Sequence, residues 1–369
     1  MTTFYRTSLF SVLFAFGLSS AVLAQQNVMQ YVSAANAKVA KAAALKSKWD
    51  GPTSGPKLQK DKRIIFIAQD MSDAGISGLF AGMKEALAGT NWQLLPLNCN
   101  GNCNISGDQV VKQALGMKAT GIVLAGVDAA SQAKGLALAA AAHVPVVGWH
   151  ASIKPGSVTG LFTNVMTEPK EAAQIAGLFG VVEANSKAGI VVFTDSSTPF
   201  LAAKSAAIVD TLKQCQSCNI LSVESLPLPE SRKKFPTVIE GLVKKNGVKW
   251  THVIAVNDVY FDMMDNPEIE KILQGTKLRG ISAGDGSTSA YKRIHKQDLQ
   301  IASVPEPLFL HGWQLVDELN RAMSNLTPST YIAPLHLVTS QNVSYDGGTK
   351  DVYDPSNDFR AKYLSYWGK

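Results

Sequence analysis

From Lys62 onward, short apolar runs rich in β-branched residues alternate with longer segments of helical period. Arg63 to Ala68 predicts a buried strand, and Ile76, Leu79, Phe80, Met83 and Leu87 then recur at the spacing of one helix face. The unit repeats. Strands are expected over 92–97, 121–125, 144–149 and 158–162, with helices over 108–117 and 130–142. A second series predicts strands over 189–193, 220–225, 252–256, 278–282 and 300–304, separated by helices over 168–183, 199–214, 234–246 and 287–296. Such alternation predicts parallel sheets covered on both faces. Two series predict an α/β protein of two doubly wound parallel-sheet lobes. The last third starts no third sheet. A helix over 308–323 is followed by one apolar stretch, 335–338, and a polar, aromatic tail, so the chain is expected to recross between the lobes. The pattern assigns 62–164 plus 305–334 to a first lobe and 165–304 plus 335–369 to a second lobe and tail.

The amino end follows a different pattern. Arg6 precedes an apolar run from Leu9 to Leu18, and small residues follow, ending in Val22-Leu23-Ala24. That is the layout of a secretory signal peptide, 1–24, with cleavage expected after Ala24. An uncleaved anchor is the weaker alternative, because a membrane-spanning helix needs roughly twenty apolar residues. Gln25 stands where a lipoprotein would carry cysteine, so a freely soluble protein in the periplasm is expected. Residues 25–61 read as an N-terminal extension: an Ala- and Lys-rich amphipathic helix, then an extended arm broken at Gly51-Pro52-Thr53-Ser54-Gly55-Pro56 and anchored by Trp49.

Charge changes the picture little. The formal net charge is +6, and the lysines are scattered apart from short groups such as Arg232-Lys233-Lys234, with no interleaved aromatics. A solvated helix face accounts for them better than a nucleic-acid surface does. The four cysteines fall in two close pairs, Cys99 with Cys103 and Cys215 with Cys218. Export makes two local disulfides the plain reading. A zinc site would need both pairs on one ion, yet they fall in different lobes. A redox motif at Cys215-Gln216-Ser217-Cys218 would open a helix, whereas this pair ends one.

In open parallel α/β sheets, ligands bind beyond the carboxyl ends of the strands. That rule selects Gln69, Asp70 and Asp73 after the first strand, 126–128 after the third and Trp149-His150 after the fourth. In the second lobe it selects 195–200, including Phe200, then Asn257-Asp258, Asp285, and 303–306, including Ser303 and Glu306. Polar groups with a few aromatics suit hydroxyl recognition beside a ring face. No nucleophile elbow, phosphate loop or dinucleotide fingerprint follows the first strand, where Gln69-Asp70-Met71-Ser72 stands. A hydrolase using Asp70 or Asp195 is the remaining enzyme alternative.

Five segments in order carry a resemblance: 64–70 (IIFIAQD), 119–124 (ATGIVL), 144–148 (VPVVG), 255–258 (AVND) and 280–286 (GISAGDG). With them, residues 62–340 resemble periplasmic sugar-binding proteins of the ribose- and galactose-binding type, which share their fold with the ligand domain of the lactose repressor. The resemblance implies the type I periplasmic binding protein architecture, with three crossovers forming a hinge, a closing cleft, transient delivery to an ABC permease, a monomer, no cofactor and no catalysis. It implies that Asn257 and Asp285 bond the ligand, and it places Lys204 near the family's ligand-binding arginine. Asp258 reads as the cap of the next helix. Two departures stand out: Trp149-His150 replaces an Asp-Arg pair, and the first loop, Ser72 to Ile76, lacks the family's stacking aromatics. Trp149 is then expected either to stack on the ligand or to belong to the core, and His150 to contact the ligand or to sit on a surface loop.

Overall fold

The computed structural model of the chain describes residues 11–103, 108–347 and 350–369. Two six-stranded sheets form, one per lobe. In the first lobe β1 (Arg63–Ala68), β2 (Gln93–Asn98), β3 (Gly121–Ala125), β4 (Val146–Trp149), β5 (Gly156–Val158) and β6 (Leu161–Val165) take the order β2-β1-β3-β4-β6-β5. All neighbours are parallel except the β5–β6 pair. The single strand expected over 158–162 is therefore a hairpin, turned at Gly160, whose φ of +83° favours a residue without a Cβ. In the second lobe β7 (Gly189–Thr194), β8 (Asn219–Ser225), β9 (His252–Ala255), β10 (Arg279–Ser282), β11 (Gln300–Ser303) and antiparallel β12 (Val338–Thr339) take the order β12-β11-β10-β9-β7-β8.

Register brings the strand ends level. Ala68 pairs with Ala125, and Ala125 with Trp149, so β1, β3 and β4 end together. Ser282 pairs with Ala255 and with Ser303, doing the same for β9, β10 and β11. Central strands such as β3 and β9 are buried throughout, which is why they read as unbroken apolar runs.

The helices are α1 (Ser11–Ala43), α2 (Ala74–Ala86), α3 (Gln109–Gly116), α4 (Ala133–Ala141), α5 (Pro169–Glu183), α6 (Pro199–Lys213) and α7 (Leu228–Asn246). After them come α8 (Val259–Met264), α9 (Pro267–Leu273), α10 (Thr288–Lys296), α11 (Leu308–Met323), α12 (Val343–Asp346) and α13 (Phe359–Trp367). Helix α7 begins six residues before its expected start, with a proline in its first turn, where no N–H is needed. The chain passes between lobes over 166–168, 304–307 and 324–337.

Two further crossings exceed the three that the resemblance implies. Helix α1 buries Ala35, Val39 and Ala42 in the second-lobe core, where it lies on α5. The arm then lies on the first lobe. Trp49 packs against Tyr331 and Tyr363 with ring centroids 5.3 and 5.5 Å away, and Asn320 Nδ2 donates to the Pro56 carbonyl at 3.0 Å. At the other end, α13 returns to the first lobe. Phe359, Tyr363 and Trp367 join its core, Trp367 stacking on Trp313 at 5.4 Å. The tail, grouped from the sequence with the second lobe, thus divides: β12 and α12 stay there, and the aromatic face of α13 packs on α11.

Both cysteine pairs stand at disulfide distance, with Cα separations of 5.1 Å for Cys99–Cys103 and 5.3 Å for Cys215–Cys218. Helix α1 runs through the cleavage point expected after Ala24, and residues 1–10 of the expected signal lie outside the described residues. Among the described residues no helix is long and apolar enough to cross a membrane.

Candidate functional site

A cavity of about 540 Å³ opens where the carboxyl ends of the two sheets face each other, within the usual range for small-molecule sites. Of the residues singled out from the sequence, Asp70, Asp73, Trp149, His150, Phe200, Lys204, Asn257 and Asp285 line it. Ser303 and Glu306 do not.

The floor is polar and built from both lobes. Asp73 caps α2, its Oδ1 accepting the Ile76 N–H at 3.0 Å. Asp70 Oδ1 accepts the Ser72 N–H at 2.9 Å and so shapes the turn before it. From the second lobe, Asp285 reaches across to the first turn of α2, where a Cβ on Gly75 would stand 2.6 Å from its Oδ2. Only glycine at 75 permits that approach. Asn257 Nδ2 donates to the same Oδ2 at 3.0 Å, and Asn257 Oδ1 accepts the Val259 N–H at 2.9 Å. Lys204 is 2% exposed, with its ammonium 5.5 Å from the centre of the Phe200 ring and, among the described residues, no carboxylate at ion-pair distance. Gln69 donates through Nε2 to the Gly101 carbonyl at 2.7 Å and leaves a buried Oε1 with no partner. Unpaired acceptors and one unpaired ammonium are what a ligand of many hydroxyls would satisfy.

The carboxyls of the floor are shifted by burial and by one another. Burial, then the charge of Asp285, pushes the Asp73 carboxyl up to about 7, against the bonds it accepts from the Ile76 and Gly75 N–H groups. Burial also raises Asp285, opposed by Lys204 and His150. A carboxyl whose pKa is raised in the closed form favours that form while protonated. The closed fraction of unliganded protein is therefore expected to fall as pH rises from about 4 through about 7, and Asp73→Asn to flatten the change. Small-angle scattering at three pH values measures it; an identical slope in the variant would remove Asp73 from the account.

The aromatic wall closes on itself. Trp149 is 1% exposed and belongs to the first-lobe core, its Nε1–H donating to His311 Nδ1 at 3.2 Å. His150 covers its ring at 3.7 Å, nearly parallel, and Phe200 from the other lobe covers the far face of His150 at 4.4 Å. His150 is thus neither on a surface loop nor free, and it holds a left-handed φ of +54° to make this stack.

Three expectations are corrected. Asp258 precedes α8 without capping it through its side chain. Instead its carboxylate accepts from Ser282 Oγ at 2.5 Å, Gly286 N at 2.7 Å, Ser287 N at 3.3 Å, Gln300 Nε2 at 2.7 Å and Ser303 Oγ at 3.1 Å. Ser303 is wholly buried and spends its hydroxyl on that carboxylate, behind the cavity wall. Glu306 lies in a lobe crossing, where it accepts from Thr167 Oγ1 at 2.8 Å and the Thr167 N–H at 3.2 Å. The sequence also passed over Asn100 and Gly101, although they follow β2, and Ser231 and Arg232, which the early start of α7 brings to the cavity.

No protein-family model matches the chain, and none of the curated proteins matches it in sequence. Solved structures do match in shape. A sugar ABC transporter protein from Yersinia enterocolitica superposes with a TM-score of 0.70 at 16% identity, over 86% of this chain and 99% of that one. A galactofuranose-binding protein gives 0.63 at 18% identity, over 76% and 96%. A solute-binding protein from Agrobacterium vitis bound with α-D-tagatopyranose gives 0.66 at 14% identity, over 79% and 99%. The fold is that of the type I periplasmic binding proteins.

Proposed function

We propose that the chain is an exported solute-binding protein that captures a small polar molecule, a sugar or sugar-like compound, by closing its two lobes, and delivers it to an ABC permease. Its residues 1–24 serve as the cleaved signal, and it acts as a periplasmic monomer without a cofactor. The single observation that carries this reading is the cavity between the lobes, where acceptors of each lobe, Asp73 and Asp285, meet beside the unpaired ammonium of Lys204. Contacts shared by both lobes exist only in the closed form, so a ligand stabilises closure by its differential affinity. Sugars bound by the structural neighbours, galactofuranose and tagatose, are the first probes to try. A flat aromatic or nucleoside-like ligand is the second reading, supported by the His150–Phe200 stack, which a planar ring can enter by parting the lobes.

Mass spectrometry of solute carried through purification, followed by titration calorimetry, tests the assignment. Removing a buried hydrogen-bonding partner costs about 1 to 3 kcal/mol. Asp285→Ala and Asn257→Ala are expected to weaken binding roughly ten- to hundredfold, with one-to-one stoichiometry and no turnover in the parent protein. Undiminished affinity in both variants would move the site elsewhere.

A further inference from the structure

Glu306 does not itself line the cavity, yet it joins features that the cavity depends on. It lies in the crossing over 304–307 and accepts two hydrogen bonds from Thr167, which lies in the crossing over 166–168. One carboxylate thus ties two of the chain passages about which the lobes turn. Its Oε1 also stands 3.2 Å from His150 Nε2. That nitrogen belongs to the ring lodged between Trp149 of the first lobe and Phe200 in the first turn of α6 of the second. Its Oε2 lies 3.5 Å from His311 Nδ1, the atom that receives the Trp149 N–H.

We propose that Glu306 is a positioning residue that couples the angle between the crossings to the aromatic clasp, holding the His150 ring where it meets Phe200 across the cleft. The proposal rests on the reading of the chain as a cleft-closing binding protein. Rotation of the lobes displaces the two crossings, and with them the acceptors of Thr167 and His150. A buried carboxylate left without partners is costly, so these bonds form and break together. Burial works to raise the Glu306 carboxyl, but the bond from His150 and the fields of His150, His311 and Lys204 outweigh it and hold the group at about 2. It is therefore ionised across the working pH range, and its bonds are the stronger charge-assisted kind. Lys204 also faces Asp285, so the same ammonium feels both the hinge carboxylate and the one in the cavity.

The test uses the full chain without ligand. Spin labels on cysteines replacing the exposed Lys84 of the first lobe and Lys213 of the second give the distribution of interlobe distances. Nitrogen-15 spectra of the His150 ring report which nitrogen carries the proton. Glu306→Gln, of the same shape without the charge, is expected to lengthen and broaden the distances and to erase the preference for a proton on Nε2. Phe200→Ala, which leaves the hinge bonds intact, is expected to broaden the distances as well. If Glu306→Gln retains the parent distances and ring spectrum, the proposal is overturned. It is also overturned if Glu306→Gln opens the lobes while Phe200→Ala does not, because Glu306 then acts on the hinge alone. Thr167→Val, which removes one bond to the carboxylate, gives the same two readouts should Glu306→Gln fail to fold. Neither readout needs a ligand, so a chain that binds no solute would defeat the proposed function while these measurements still decide the role of Glu306.

Discussion

Trp149→Ala is expected to lower the free energy of unfolding by about 3 to 5 kcal/mol, the cost of emptying a large aromatic site in a packed core. The ring is 1% exposed among first-lobe core residues that include Val147, Val165 and Leu315. Truncation leaves a void beside the cavity wall and removes the donor that His311 Nδ1 accepts. Since His150 already covers one face, a ligand stacked on that face would first have to displace a neighbouring ring. Trp149→Phe keeps most of the volume and gives up the indole N–H, so its expected cost is only about 1 kcal/mol. Denaturant unfolding of both variants, beside calorimetry on whatever solute copurifies, separates packing from recognition. A Trp149→Ala protein with the parent's midpoint and a lost affinity would return the ring to the ligand.

Acidification is expected to weaken the fold through His311. Burial pushes this imidazole down to about 4, against the pull of Glu306, whereas the ordinary value is 6.5. The unfolded chain therefore takes up the proton first as pH falls, and stability drains away between about 6.5 and about 4. The loss from this group amounts to roughly 3 kcal/mol at pH 4. Glu306, held at about 2, adds a loss between its ordinary 4.5 and about 2. Glu318 opposes both: burial, then the charge of Asp317, raises it to about 7, so its protonation favours the folded chain as pH falls. The difference between parent and His311→Gln isolates the histidine, because the amide oxygen of Gln can still accept the Trp149 N–H. Urea unfolding at pH 7, 5.5 and 4 is expected to show a flatter dependence in the variant. Parallel curves would exclude His311 as the cause.

Much of this architecture could be read from period alone, and the reasons are local. Buried parallel strands such as Gly121–Ala125 read as unbroken apolar runs, and α11 starts and stops where its apolar spacing does. The hairpin at 156–165 was hidden because Gly160 turns the chain within what looks like one strand. Helices α8 and α9 are six and seven residues long, too short to establish a period. Helix α13 was read as a polar, aromatic tail: Phe359, Tyr363 and Trp367 recur at intervals of four, but over only nine residues with few aliphatic positions between them.

The site was legible to the extent that strand ends are. Asp73, Asn257 and Asp285 follow from that rule, and all three line the cavity. The spacing of residues cannot say which neighbour a buried polar group will choose. Ser303 and Glu306 lie at the correct strand end, yet each turns to a partner from another segment, Asp258 or Thr167. The same limit hid the stack of Trp149, His150 and Phe200, whose third ring comes from the opposite lobe.

The route of the chain ends has a consequence for biogenesis. The first lobe is finished by Phe359, Tyr363 and Trp367, which follow every strand of both sheets in the chain, and Trp367 Nε1 donates to the buried Asp317 at 2.9 Å. Domains of a growing chain generally fold as units, amino-terminal first, while synthesis proceeds at roughly 5–20 residues per second. Here the lobe that begins first cannot be completed until residues 359–367 emerge, although most of the second lobe has by then been made. A ribosome-tethered chain should hold a complete second sheet beside an unfinished first lobe, with Trp313 exposed. Until α13 arrives, Asp317 lacks the indole N–H that it accepts in the folded chain, so assembly of the first lobe waits on residues made after the strands of both sheets.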